Sequence, residues 1–103
     1  MPSSQERLRL AVAALLYVTG ETQRDLAGGI GRGQPEVSRR QSGTSAWTLD
    51  DLDRLAAHFG IAAGDLLCGA DHAVTQLPTP RRATADGGTQ AATSTPDPEG
   101  QRR

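Results

Sequence analysis

The sequence predicts an all-α fold, a compact bundle of four to five short helices followed by a disordered C-terminal tail. Three observations carry that expectation. Leu8, Val12, Leu15 and Thr19 fall at intervals of four, three and four, the spacing that lines one face of a helix. Thr22 and Thr48 are each followed three positions later by an acid, Asp25 and Asp51, the reciprocal pattern by which a helix start satisfies its own free amides. No segment alternates polar and apolar residues for long enough to form a strand that matters.

The first helix is capped by Ser3 or Ser4, carries Leu16 beside its main stripe and ends at Gly20, a residue suited to the left-handed stop after a helix. It is apolar around much of its girth, as expected of a helix packed on more than one side. Thr22 opens a short second helix with Leu26, Ala27 and Ile30 inward, broken by Gly31. Gln34-Pro35-Glu36 begins a third helix with Gly33 as its cap; proline in a first turn loses no helical hydrogen bond, and Glu36 complements the helix dipole. Gly43 closes it. Thr48 opens the fourth helix, whose apolar stripe is Leu49, Leu52, Leu55, Ala56 and Phe59, ended by Gly60. Ile61 to Leu67 permits a last short helix with Leu66 and Leu67, stopped by Gly69.

From Ala70 onward the chain turns to Pro, Thr, Ala and Gly with few large apolar side chains, a composition that cannot offset its own ordering entropy. The expected division is therefore a domain over 1–69 and a disordered tail over 70–103, leaving a folded unit of about 65 residues. Four arginines and four acids balance within that tail. Arg81-Arg82 and Arg102-Arg103 are read as solvated.

A net charge of −1 excludes a general polyanion binder, but the charge is polarised. Thr22 to Gly43 carries a balance of +2 and Thr48 to Gly69 a balance of −3. The acids Asp50, Asp51 and Asp53 are read as a solvent-facing set at a helix start. Cys68 is the only cysteine, which excludes an intramolecular disulfide. His58 and His72 stand apart from any second ligand in sequence, so neither a metal nor a cofactor is expected. Arg7 and Arg9 before the apolar run Leu10 to Val18 have the outline of a secretory signal, yet Glu6 interrupts the basic region, the run is too short for a bilayer and the bundle needs this helix. A cytoplasmic protein without membrane association is expected.

The glycine-rich stretch Gly28 to Gly33 invites a phosphate-loop reading. Gly28-x-x-x-x-Gly33 matches the first half of that motif, but Lys and Ser/Thr must follow, and Gln34 and Pro35 stand there instead. Proline removes an amide the cradle would use, and no strand precedes. A helix-turn-helix makes stricter demands, a small residue where two helices meet and a glycine in the turn. Ala27 and Gly31 meet them, with Leu26, Ile30 and Val37 as the shared apolar contact.

These residues, with Thr22-Gln23, Gln34, Val37-Ser38-Arg39, Gly43, Leu49-Asp50-Asp51-Leu52, Leu55-Ala56, Phe59-Gly60-Ile61 and Leu66-Leu67, resemble the λ-repressor/Cro-type (XRE) helix-turn-helix family across nearly the whole folded unit. The resemblance implies a five-helix DNA-binding domain of a repressor or phage-type regulator, often a dimer on a near-palindromic double-stranded operator. Arg32, Gly33, Arg40 and Gln41 depart from that pattern, where an apolar residue, Ser, Ile or Trp, and Glu are usual. Gly28 and Gly29 inside a helix cost about 1 kcal/mol each relative to alanine.

With Val37 inward and about 100° per residue, Pro35, Ser38, Arg39 and Ser42 face outward and Gln34 lies at the exposed helix start. Glutamine can pair with adenine and arginine with guanine in the major groove, so Gln34, Ser38 and Arg39 are the expected base readers. The resemblance adds Gln23 as a phosphate contact that also braces the recognition helix. Arg24, Arg40, Thr44 and Ser45 are further candidates for phosphate contact, and Arg32 a weaker one. Trp47 is read as a packing lid. No nucleophile–base pair or carboxylate pair suggests an enzyme. The competing expectation is a helix-turn-helix module that acts mainly through protein contacts, as an antitoxin or regulator partner.

Overall fold

The computed structural model describes residues 2–81; the part of the expected 70–103 tail from 82 onward, with Arg82, Arg102 and Arg103, lies outside the described residues. Six α-helices follow one another: α1 (Ser4–Thr19), α2 (Gln23–Ile30), α3 (Gln34–Ser42), α4 (Leu49–Phe59), α5 (Ala63–Leu66) and α6 (Ala70–Gln76), then a 3₁₀ turn at Thr79–Arg81. There is no strand among the described residues, and no helix among them is long and apolar enough to cross a membrane.

Helix boundaries follow local chemistry. The Ser3 hydroxyl accepts from the Glu6 amide at the start of α1. Thr22 and Asp25, and likewise Thr48 and Asp51, each complete the reciprocal cap at 2.9–3.1 Å. Gly20, Gly31, Gly43 and Gly60 end α1 to α4 with φ between 74° and 88°, where a Cβ would be strained.

The core is built from Val12, Leu15, Leu26, Val37, Leu55, Phe59 and Leu66, all without exposure, with Leu8, Ala27, Ile30, Trp47 and Leu52 around them. α1 is the central element, packed on α3, α5 and α6, while α2 lies against α3 and α4. Trp47 closes one side. Gln5 grips its backbone with two hydrogen bonds, to Trp47 O at 2.7 Å and from Trp47 N at 2.9 Å. Its indole donates to Gln41 Oε1 at 3.1 Å.

Three expectations are corrected here. The folded unit does not end at Gly69: α6 lies along α1, burying Ala73 and Leu77, because Ala73, Val74 and Leu77 form a small apolar stripe hidden in a polar composition. Leu49 is not core. It is the first residue of α4 and is 81% exposed. Asp51 is not solvent-facing but fully buried.

Candidate nucleic-acid interface

The segment from Gln23 to Ser42 folds as two helices and a three-residue turn, not as a phosphate loop. Gly28, Gly29 and Ile30 belong to α2, so their amides point along the helix, and Gly31 (φ 74°) reverses the chain. The Gly31 and Arg32 amides both donate to Ala27 O. With that end satisfied, Ala27 (3% exposed) brings α2 close enough to α3 for Leu26 and Ile30 to share the core with Val37. Gly33 starts α3 without a side-chain cap; the Glu36 carboxylate accepts from its amide at 3.0 Å instead. That bond holds the Glu36 carboxyl below its ordinary value.

The inner side of this unit is fastened by one carboxylate. Asp51 Oδ1 accepts from Arg32 Nε at 2.8 Å, and Oδ2 lies 3.0 Å from Arg40 Nε. Arg32 also reaches Asp50 at 3.2 Å, and Arg40 lies 3.7 Å from Glu36. Burial pushes the Asp51 carboxyl up, but the Thr48 amide, the Arg32 bond and the nearby Arg40 charge together bring it below its ordinary value. The turn and α3 are thus tied to the first turn of α4. Arg54 completes the arrangement, donating to Ile30 O at 2.9 Å and to Asp50 at 2.8 Å.

Against this frame the expected contact residues divide. Gln34, Ser38 and Arg39 are all exposed on α3, and none makes a side-chain hydrogen bond or ion pair within the described residues. Arg24 is likewise exposed, and its guanidinium makes neither bond among them. Gln23 is half-buried in the first turn of α2, and its side chain makes no hydrogen bond to α3, so the expected brace is not seen. The Thr44 and Ser45 amides both donate to Arg39 O at 3.0–3.1 Å, and the Thr44 hydroxyl pairs with Ser42 at 3.0 Å. Their backbone is therefore spent on closing α3.

Arg40 is corrected. Its side chain is only 15% exposed and points inward to Asp51, because a position one turn after Val37 faces the same way. Arg32 is held in the same manner. A neighbour not anticipated packs on α3: Arg9 of α1 lies against its end, its guanidinium within van der Waals reach of any Cβ at Gly43. Gln41 fastens this junction by donating to Arg9 O at 3.1 Å. Nothing in the local sequence announces it, since α1 and α3 meet only in the folded chain.

Of the two glycines inside α2, only Gly29 has a packing reason. A Cβ on Gly29 would run into the His58 ring, which is bonded to Glu21 at 2.7 Å. A Cβ on Gly28 would meet nothing. His72, expected to stand alone, lies 2.8 Å from Asp65 with Cys68 alongside. No known protein family, no curated protein and no solved structure matches this chain.

Proposed function

We propose that this chain is a sequence-specific double-stranded DNA-binding domain of the λ-repressor/Cro-like type, working as a small transcriptional regulator that lays α3 in the major groove of an operator. One observation carries the reading. Gln34, Ser38 and Arg39 stand together on the exposed side of a short helix with no partner in the described chain, while the opposite side of that helix is tied down by Val37, Arg40 and Gln41. A rigid helix offering glutamine and arginine to solvent suits base-edge recognition, because each can make paired hydrogen bonds to one base. Arg24 supplies a flanking contact to phosphate, and Gln23, Thr44 and Ser45 supply neutral ones. A domain of this kind works in the cytoplasm, with the DNA, as a monomer or as a homodimer.

Selection of bound sites from random duplex DNA tests this directly. A discrete enriched motif is expected, and two half-sites spaced by about 10 base pairs would report a dimer. Absence of any enriched sequence contradicts the reading. Arg39→Ala should then lose about 1–3 kcal/mol of affinity for the selected site and relax its sequence preference. Unchanged binding removes Arg39 from the readers.

A second reading has its own support. Two arginines of the positive stretch are neutralised by acids, and Tyr17 and Leu49 are 80% and 81% exposed. A module acting mainly through protein contacts, such as an antitoxin or a regulator's partner, fits those features. Light scattering beside a gel-shift on genomic fragments separates the two: specific retardation favours the first, and oligomerisation without retardation the second.

A further inference from the structure

We propose that Asp65, Cys68 and His72 form a binding site for a borderline divalent transition-metal ion, Zn²⁺ by preference, at the corner between α5 and α6. The inference is independent of the DNA reading.

The three residues come from different parts of a folded corner. Asp65 belongs to α5, Cys68 follows that helix, and His72 lies in the first turn of α6. Gly69, with φ 112°, turns the chain between them, so that α6 folds back and sets His72 over α5. One ligand atom from each residue lies within 4.8 Å of the other two, and His72 Nε2 is already 2.8 Å from Asp65 Oδ1. The backbone beneath is held. Leu66 and Ala73 are fully buried, and Arg7 Nε donates to Leu67 O at 3.0 Å. The ligands are therefore gathered by the fold before any ion arrives, which lowers the ordering cost of binding.

The donor set names the ion class. A thiolate, an imidazole and a carboxylate together suit Zn²⁺, which binds S, N and O at about 2.3, 2.0–2.1 and 2.0–2.2 Å in a tetrahedron. Those lengths place ligand atoms about 3.3–3.7 Å apart. The His72–Asp65 pair must open slightly and the others close by at most about 1.3 Å, movements that part-exposed side chains make by rotation. A carboxylate–carbonyl set would favour Mg²⁺ or Ca²⁺; the thiol and imidazole argue against them. On binding, the Cys68 thiol gives up its hydrogen bond to Gly64 O (3.3 Å). Its proton passes to solvent and the thiolate sulfur takes the metal. Three protein ligands leave a fourth position for water or an exogenous donor.

The test uses the full chain, freed of metal and kept reduced with a non-thiol reductant, titrated with Co²⁺ as a spectroscopic probe. A thiolate-to-cobalt charge-transfer band saturating at a single equivalent, and bleached by Zn²⁺, is expected. The thermal midpoint should rise with Zn²⁺ concentration. Cys68→Ser should abolish the band; Asp65→Ala and His72→Ala should each weaken Co²⁺ binding at least about tenfold, whereas His58→Gln should leave it unchanged. Circular dichroism of each variant separates lost ligands from lost fold. A wild-type chain with no charge-transfer band, or Co²⁺ affinity unaltered in folded Cys68→Ser and His72→Ala, overturns the site.

Discussion

A carboxylate without exposure is tolerated only when its charge is answered, and at Asp51 the answers come from three places: the Thr48 amide, Arg32 in the turn and Arg40 on α3. Asp51→Asn keeps the shape but leaves two guanidinium groups facing an amide, so a loss of about 3 kcal/mol is expected, read from urea denaturation at neutral pH. Because the Asp51 carboxyl lies lower in the fold than in the unfolded chain, its contribution is fully present above the ordinary aspartate value of about 3.9. It is lost as pH falls through the lower folded value. Asp25 and Glu36 are lowered in the same direction by the amides of Thr22 and Gly33. Stability should therefore decline on acidification, and less steeply in Asp51→Asn than in the wild type. An equally steep acid limb in that variant would locate the dependence elsewhere. Arg40→Ala should lower stability while leaving the salt dependence of DNA binding unchanged, whereas Arg24→Ala should weaken binding to every sequence and reduce the salt slope by about 1.

At the scale of the element, helix starts and stops were legible because they are local chemistry. Threonine with an acid three residues on, and glycine where the chain must take positive φ, name the ends of α2 and α4 without reference to anything distant. The same locality explains what was missed. The pairing of Arg40, a candidate for phosphate contact, and of Arg32, a weaker one, escapes the sequence because their partner Asp51 lies 11 and 19 positions away on another helix, a distance no periodicity spans. The glycines of α2 separate along this line too. Gly28→Ala fills open space and should stabilise by about 0.5–1 kcal/mol. Gly29→Ala must displace the His58 ring from Glu21 and should not share that gain. Thermal melts of the two variants decide it; equal stabilisation would show that His58 does not keep position 29 small. Gln34, Ser38 and Arg39, the proposed readers, are placed on the exposed face of α3 by a single inward reference, Val37, which is indeed buried.

For the whole molecule, the informative miss is the boundary at Gly69. Composition averaged over 70–103 hides the short stripe of Ala73, Val74 and Leu77, because Pro, Thr and Gly further on dominate the mean. The structure uses that stripe to cover α1, and then returns the chain to the start of α2 and the end of α4. Arg81 donates to Glu21 at 2.8 Å and to His58 O at 3.2 Å. A chain truncated after Gly69 loses the burial of Ala73 and Leu77 and the packing of α6 on α1 and α5. A loss of at least about 3 kcal/mol against the full chain is expected, measured by denaturant unfolding; an unchanged midpoint would make α6 dispensable. The α5–α6 corner that gathers Asp65, Cys68 and His72 was hidden by the same misplaced boundary.

The two sides of α3 have a consequence for how such a chain can diversify. The side chains that seat the helix on its neighbours are those of Val37, by packing, and of Arg40 and Gln41, by polar contacts, with Glu36 closing its start. The side chains at positions 34, 38 and 39 contribute none among the described residues. Substitutions at those three sites can accumulate without drawing on a thin stability margin, so what the helix presents is free to drift while its seating stays the same.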